Sequence, residues 1–279
     1  MTVLEVLQSA TAYFKKREIE NARLNAEHLL AHVLGRTRME LYLDFERHLS
    51  ELELGELREL VKRRGQGEPL QYLLGTVEFC GHVFAIDKRA MVPRPETEEL
   101  VELLSRSSLN PQPSTILDVG TGSGVIALSL AKKFRDAQIV GVDISEDALA
   151  LAKENANRLC LSERVQFVKS DLLRDIEGAF DLVIANLPYI STQDRHLLSR
   201  EVLHDPEIAL FAGQRGDEVI RELIEQAPPR LRARGLLALE IGFDQAESLF
   251  ELLTQKKYHD IEPKNDYSGR TRFLFARYG

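Results

Sequence analysis

Cysteine is scarce: only Cys80 and Cys160 occur among 279 residues. They lie far apart, and neither has a His or Cys neighbour at metal-ligand spacing. This argues against a disulfide framework or a zinc site, so a reduced protein without a bound metal is expected. No stretch approaches the roughly 18–20 apolar residues that a membrane-spanning helix needs. The opening MTVLEVLQSATAYFKKREIE carries acidic residues early and has no long apolar core, unlike a secretory leader. Positive charge is not in excess either. Lys+Arg number 36 against Asp+Glu 44, a net charge of −8. That balance disfavours a sequence-blind grip on nucleic-acid phosphates. There is no pronounced basic run, internal repeat or low-complexity segment. The expectation is a soluble, cytoplasmic protein with no membrane association and no direct nucleic-acid partner.

What remains is ordinary globular composition, 44% apolar and 29% charged. The length suits one large domain and a smaller one. Residues 1–75 read as a small helical bundle. Thr2 with Glu5, Thr37 with Glu40 and Ser50 with Glu53 have the spacing of capping boxes. Leu29, Leu30, Val33 and Leu34 repeat at helical spacing, and Gly35 is placed to end that helix. Leu52, Leu57, Leu60 and Val61 give another amphipathic stretch. A packing module and a substrate-docking module are equally consistent with this region.

The period then changes. Val77–Phe79 and His82–Ile86, separated by Cys80-Gly81, suggest a β-hairpin, and residues 76–96 are assigned as a linker. Pro93-Arg94-Pro95 predicts an extended path before a helix starting near Thr97. Residues 97–279 form the larger domain. Short apolar runs at Ile116–Val119, Gln138–Val142, Val165–Val168, Asp181–Ala185 and Leu236–Ile241 alternate with helical segments such as Val125–Phe134 and Glu146–Leu159. That order predicts an α/β fold, a Rossmann-like, mainly parallel sheet with helices on both faces. Ligands of such sheets bind beyond the C-terminal strand ends.

Three features fall at those ends. Asp118-Val119-Gly120-Thr121-Gly122-Ser123-Gly124 follows a strand and opens a helix. Its glycines permit close approach of a ligand to the backbone. Asp143 ends the next strand, where a carboxylate can accept hydrogen bonds from both ribose hydroxyls. Asp171 ends the third, where an adenine edge would lie. A glycine turn alone, or Asp143 as a helix cap, has a purely structural explanation. Their joint occurrence points to a nucleoside-type cofactor.

The fourth strand ends in Asn186-Leu187-Pro188-Tyr189. Together with the glycine loop, it resembles the class I methyltransferases that alkylate an amide or exocyclic nitrogen, whose signature is Asn/Asp-Pro-Pro-Tyr/Phe. Such a nitrogen is a poor nucleophile because its lone pair is delocalised, so the protein's contribution is positioning and charge stabilisation. The Asn186 side-chain carbonyl can accept one N–H of a target NH₂, and the Leu187 backbone carbonyl the other. Pro188 fixes the turn, and Tyr189 offers an aromatic wall. A strand-to-loop turn built on Asn and Pro for backbone reasons is the plainer explanation of these residues in isolation.

Further segments narrow the resemblance to the release factor glutamine N5-methyltransferases, the PrmC or HemK family. They are Glu68–Gly75, Val92-Pro93-Arg94-Pro95-Glu96-Thr97-Glu98, His204–Gly213 and Leu239-Glu240-Ile241-Gly242. The resemblance implies S-adenosyl-L-methionine held by Gly120, Thr121, Gly122, Ser123, Gly124, Asp143, Asp171 and Asn186. It implies a substrate glutamine held by Asn186, Leu187, Pro188 and Tyr189, with Arg94, Glu96 and Thr97 lining the pocket. Class 1 peptide chain release factors would be the partners, methylated on the Gly-Gly-Gln glutamine in support of translation termination. Leu187 departs from the family's usual proline. It keeps the backbone carbonyl but adds an N–H and loosens φ. Adenine-N6 methylation of DNA or RNA, and a cofactor-binding protein without turnover, are the alternative readings.

Overall fold

The computed structural model describes residues 1–106 and 112–279. They form two compact units. One comprises Met1–Thr76 with Ser199–His204; the other comprises Val77–Leu198 with Asp205–Gly279.

The first unit contains α1 (Val3–Lys16), α2 (Ala22–Leu34), α3 (Arg38–Tyr42), α4 (Glu51–Gly65) and α5 (Leu70–Leu74). All three capping boxes are present with both reciprocal hydrogen bonds. At α4 the Glu53 backbone N–H donates to Ser50 Oγ (3.3 Å), and the Ser50 N–H donates to Glu53 (2.8 Å). Arg47 and that N–H hold the Glu53 carboxyl down at about 2. Replacing Ser50 with alanine is expected to cost about 1 kcal/mol of stability, read as a lower denaturation midpoint at unchanged slope. Gly35 ends α2 in the left-handed region, as its position predicts. Leu52 is a correction. It is 87% exposed, and Leu54 joins Leu57 and Leu60 on the buried face instead. Leu52 lies in the first turn of α4, two residues from Leu54 and so on a different side of the helix. Phe14, Leu29, Leu30 and Leu41 form the centre of this unit's core. Buried Arg64 donates to Asn25 and to the Glu68 carbonyl, and pairs with Glu201 of the returning segment at 2.6 Å.

A hairpin of β1 (Thr76–Phe79) and β2 (His82–Ala85) follows, all but Thr76 of it in the second unit. Cys80 and Gly81 both have positive φ, 48° and 74°, the backbone of a type I′ turn. Phe79 and Phe84 bury against each other edge to face in this unit's core. Helix α6 (Pro95–Arg106) begins two residues earlier than the expected Thr97, because a proline in a first turn forfeits no intrahelical donor.

The chain continues through β3 (Thr115–Val119), α7 (Val125–Lys133), β4 (Gln138–Asp143), α8 (Glu146–Arg158), β5 (Val165–Lys169) and β6 (Phe180–Asn186). There follow α9 (Glu207–Leu210), α10 (Glu218–Gln226), β7 (Leu231–Glu240), α11 (Ala246–Gln255), β8 (Tyr258–Asn265) and β9 (Thr271–Tyr278). The sheet has seven strands in the order β5-β4-β3-β6-β7-β9-β8. The first five are mutually parallel, whereas β9 pairs antiparallel with both β7 and β8. The mainly parallel sheet agrees with the sequence reading; the antiparallel pair β8–β9 extends it. Strand residues alternate between two cores. Ile116, Leu182, Ile184 and Ala238 face α6 and α7, while Leu117, Val183, Ala185 and Leu239 face α10 and α11. Strand order reverses between β3 and β6, which opens a crevice at their C-terminal ends. Among the described residues, no helix is long and apolar enough to cross a membrane.

Candidate active site

A cavity of about 270 Å³ lies at that crevice, inside the second unit. Of the residues expected from the sequence, Gly120, Thr121, Gly122, Ser123, Asp143, Asp171, Asn186, Leu187 and Pro188 line it, as does Thr97. Gly124, Tyr189, Arg94 and Glu96 are not among its lining residues. Pro206, Ile208 and Phe211, from the segment around α9, contribute an apolar side.

The glycine loop is fixed from below. The N–H groups of Gly120 and Thr121 both donate to the Val142 carbonyl at 2.9 Å, tying the loop to β4. Asp118 is fully buried, accepting from Thr121 Oγ1 (2.6 Å) and the Ala127 N–H (3.1 Å). Burial pushes its carboxyl up to about 7, against the pull of those two donors. Gly120 has φ +72°, and a Cβ there would come within 2.8 Å of Leu187 Cδ2. The loop and the Asn-Leu-Pro-Tyr corner are thus in van der Waals contact. Gly124 serves packing: a Cβ would meet Ala152, Leu128 and Phe167 at 3.1–3.2 Å.

Asp143 accepts from the Gly122 N–H through Oδ2 and from the Ser145 N–H through Oδ1, both at 2.9 Å. Each carboxylate oxygen retains a lone pair beyond these bonds. Burial raises the Asp143 pKa, opposed by the Ser145 and Gly122 donors. Asp171 is paired with Arg174 at 2.8 Å.

Asn186 closes β6, and its Nδ2 donates to Thr97 Oγ1 at 2.9 Å. Thr97 Oγ1 in turn donates to Glu240 Oε2 at 2.8 Å. Glu240 ends β7 beside Asn186 in register and is 1% exposed. Burial pushes its carboxyl up to about 7, even though Thr97 and Arg272 favour the charged form. Tyr189 packs behind the cavity against the α10–α11 core, with Arg272 over its ring. Burial pushes its phenol up to about 12.

The corner is braced by contacts that the sequence motifs did not foretell. Gln245 donates through Nε2 to the carbonyls of Tyr189 and Gly216, each at 2.9 Å, while its Oε1 accepts from the Gly242 N–H. Gly216 packs directly on the backbone of Tyr189–Ser191. Asp205 accepts from the Val92 N–H and pairs with Arg94, joining the Pro-Arg-Pro segment to the loop before α9. Val92, Arg94, Asp205, Glu240 and Gly242 lie in segments that carried the resemblance, but those segments did not point to these contacts, and Gln245 and Gly216 carried no motif signal.

Comparison with known proteins agrees with this architecture. The family described as the PrmC N-terminal domain matches residues 5–75, and the family described as a methyltransferase domain matches residues 112–256. The chain is 39% identical to the release factor glutamine methyltransferase of Chlorobaculum tepidum, over 98% of this chain and 96% of that one. It is 37% identical to the one from Escherichia coli, over 93% of each. Among solved structures, the hMettl16 catalytic domain, crystallised with a 3′UTR hairpin, superposes with a TM-score of 0.55 at 16% identity, over 84% of this chain and 83% of that chain; the likeness is one of fold. The fold is that of class I methyltransferases, and the chain belongs to the release factor glutamine methyltransferase family.

Proposed function

We propose that this methyltransferase transfers the methyl group of S-adenosyl-L-methionine to the side-chain amide nitrogen, N5, of the glutamine in the Gly-Gly-Gln motif of class 1 peptide chain release factors. The names of its relatives supply the substrate class. The observation that carries the chemistry is Asn186. Its nitrogen is committed to Thr97, and among the described residues no donor reaches its Oδ1. An acceptor oxygen is therefore left at the cavity, where an amide NH₂ needs one.

The cavity suits the cofactor. Gly120–Ser123 line it at the N-terminal end of α7, and a Cβ on Gly122 would meet nothing closer than 4.0 Å, which leaves open space beside the backbone. Asp143 keeps lone pairs for two hydroxyls, and Ile144 and Leu172 offer apolar walls for a planar base. S-adenosylmethionine supplies an already activated methyl group on a sulfonium. The chain's own residues supply orientation. Asn186 Oδ1 accepts one N–H of the glutamine and the Leu187 carbonyl the other, which aims the nitrogen and stabilises positive charge developing on it. Pro188 holds the turn, and Tyr189 anchors it through its partly buried ring and the Gln245 bond to its carbonyl.

The test is incubation of the protein with cofactor, an unmodified release factor and an adenine-containing oligonucleotide. One added methyl mass on the Gly-Gly-Gln glutamine, accompanied by S-adenosylhomocysteine release and an unchanged oligonucleotide, is the expected result. Methylation of the oligonucleotide alone, or no release of S-adenosylhomocysteine, would overturn the proposal.

A further inference from the structure

The row Glu240–Thr97–Asn186, buried at its first two members, has a direction. A carboxylate can only accept hydrogen bonds, whereas a hydroxyl has one proton to give and lone pairs to offer. With Glu240 ionised, Thr97 gives its proton to Glu240 Oε2 at 2.8 Å and so presents only lone pairs to Asn186. The group of Asn186 that faces Thr97 must then be the NH₂, as the 2.9 Å bond from Nδ2 shows. A planar amide whose nitrogen is turned one way has its oxygen turned the other.

We propose that Thr97 and Glu240 are positioning residues that set the orientation of the Asn186 amide, holding its carbonyl toward the cavity as the acceptor for the target nitrogen. Neither residue needs to touch the reacting atoms. With the amide flipped, the NH₂ of Asn186 would face the NH₂ of the target, and two donors cannot bind each other. The arrangement is well isolated from water. Thr97 and Glu240 are 2% and 1% exposed, so bulk solvent does not compete for their bonds. It is also held from three elements, α6, β6 and β7, with Arg272 of β9 as the nearby cation and Glu96 as the opposing anion. The assignment of a catalytic role to Asn186 rests on the function proposed above; the orientation of its amide does not.

The experiment uses the full-length protein with Thr97→Val, which keeps the shape and removes the hydroxyl, and Thr97→Ser, which restores it. In the ligand-free protein, the Asn186 side-chain NH₂ resonances, assigned by their disappearance in Asn186→Ala, should shift in Thr97→Val and return toward the wild-type position in Thr97→Ser. With a release factor as substrate, Thr97→Val should lower kcat about tenfold with little change in cofactor affinity. Thr97→Ser should recover most of that loss. Adding Thr97→Val to Asn186→Ala should lower activity no further, because both changes act through one group.

Unmoved Asn186 resonances in a folded Thr97→Val protein, or equal damage from Val and Ser, would overturn the orientation role. So would full additivity with Asn186→Ala. Absence of transfer to the release factor by the wild-type protein, with the resonances behaving as described, would instead sink the substrate assignment and leave the orientation standing.

Discussion

Asn186→Ala should lower kcat at least about a hundredfold while leaving cofactor affinity close to that of the wild type. Removing one preorganised polar group from a site where charge develops commonly costs that much, roughly 2.7 kcal/mol of transition-state stabilisation. Asn186 is at the end of β6, and its amide is already turned by Thr97, so its oxygen needs no reorganisation when the substrate arrives. The cradle of Gly120 to Ser123 and the carboxylate of Asp143 lie on other strand ends and keep their own hydrogen bonds without it. The measurement is single-turnover methyl transfer alongside calorimetric titration of the cofactor. Near wild-type transfer would remove Asn186 from the mechanism. Equal loss of cofactor binding and transfer would make it a cofactor ligand rather than a substrate ligand.

The second large effect is expected at a residue outside the lining of the candidate active site. Gly216 has φ +86°, and a Cβ there would come within 2.8 Å of the Ser191 nitrogen, 2.9 Å of the Tyr189 oxygen and 3.1 Å of the Ile190 carbonyl carbon. All three are backbone atoms, so no side-chain rotation relieves the crowding. Gly216→Ala must push the chain just after Asn-Leu-Pro-Tyr outward or move its own loop, and it adds about 1–2 kcal/mol of left-handed strain. Gln245 bridges the Tyr189 and Gly216 carbonyls, so displacing either loosens the same clamp. A misplacement of about 1 Å can cost on the order of a hundredfold in rate. Gly216→Ala should therefore lose kcat on that scale, with a reduced denaturation midpoint and a retained circular-dichroism spectrum. Activity within a few-fold of wild type would show that the clamp does not govern the corner.

The contrast between these two positions shows what the sequence made legible. Asn186 announces itself because it ends an apolar strand and is followed by Pro and Tyr. The glycine loop does so because it separates a strand from a helix. The capping boxes were readable for the same reason: their hydrogen bonds join residues only three apart. Gly216 and Gln245 act on Tyr189 across 27 and 56 residues of chain, through backbone atoms that have no side-chain signature. Glu240 sat inside a recognised motif, but its burial under Thr97 arises only from the register of β7 beside β6. Strand β8 was missed because its sequence, YHDIEPKN, is mostly polar and contains a proline. As the outermost strand of the sheet it can tolerate both.

The leucine at position 187 has a consequence beyond its own loop. Because Leu187 Cδ2 occupies the space that a Cβ on Gly120 would need, the sizes of these two residues are reciprocally limited. A bulkier residue at either site requires its counterpart to shrink or turn aside. Substitutions at positions 120 and 187 in descendants of this sequence should consequently be correlated, even though 67 residues of chain separate the two.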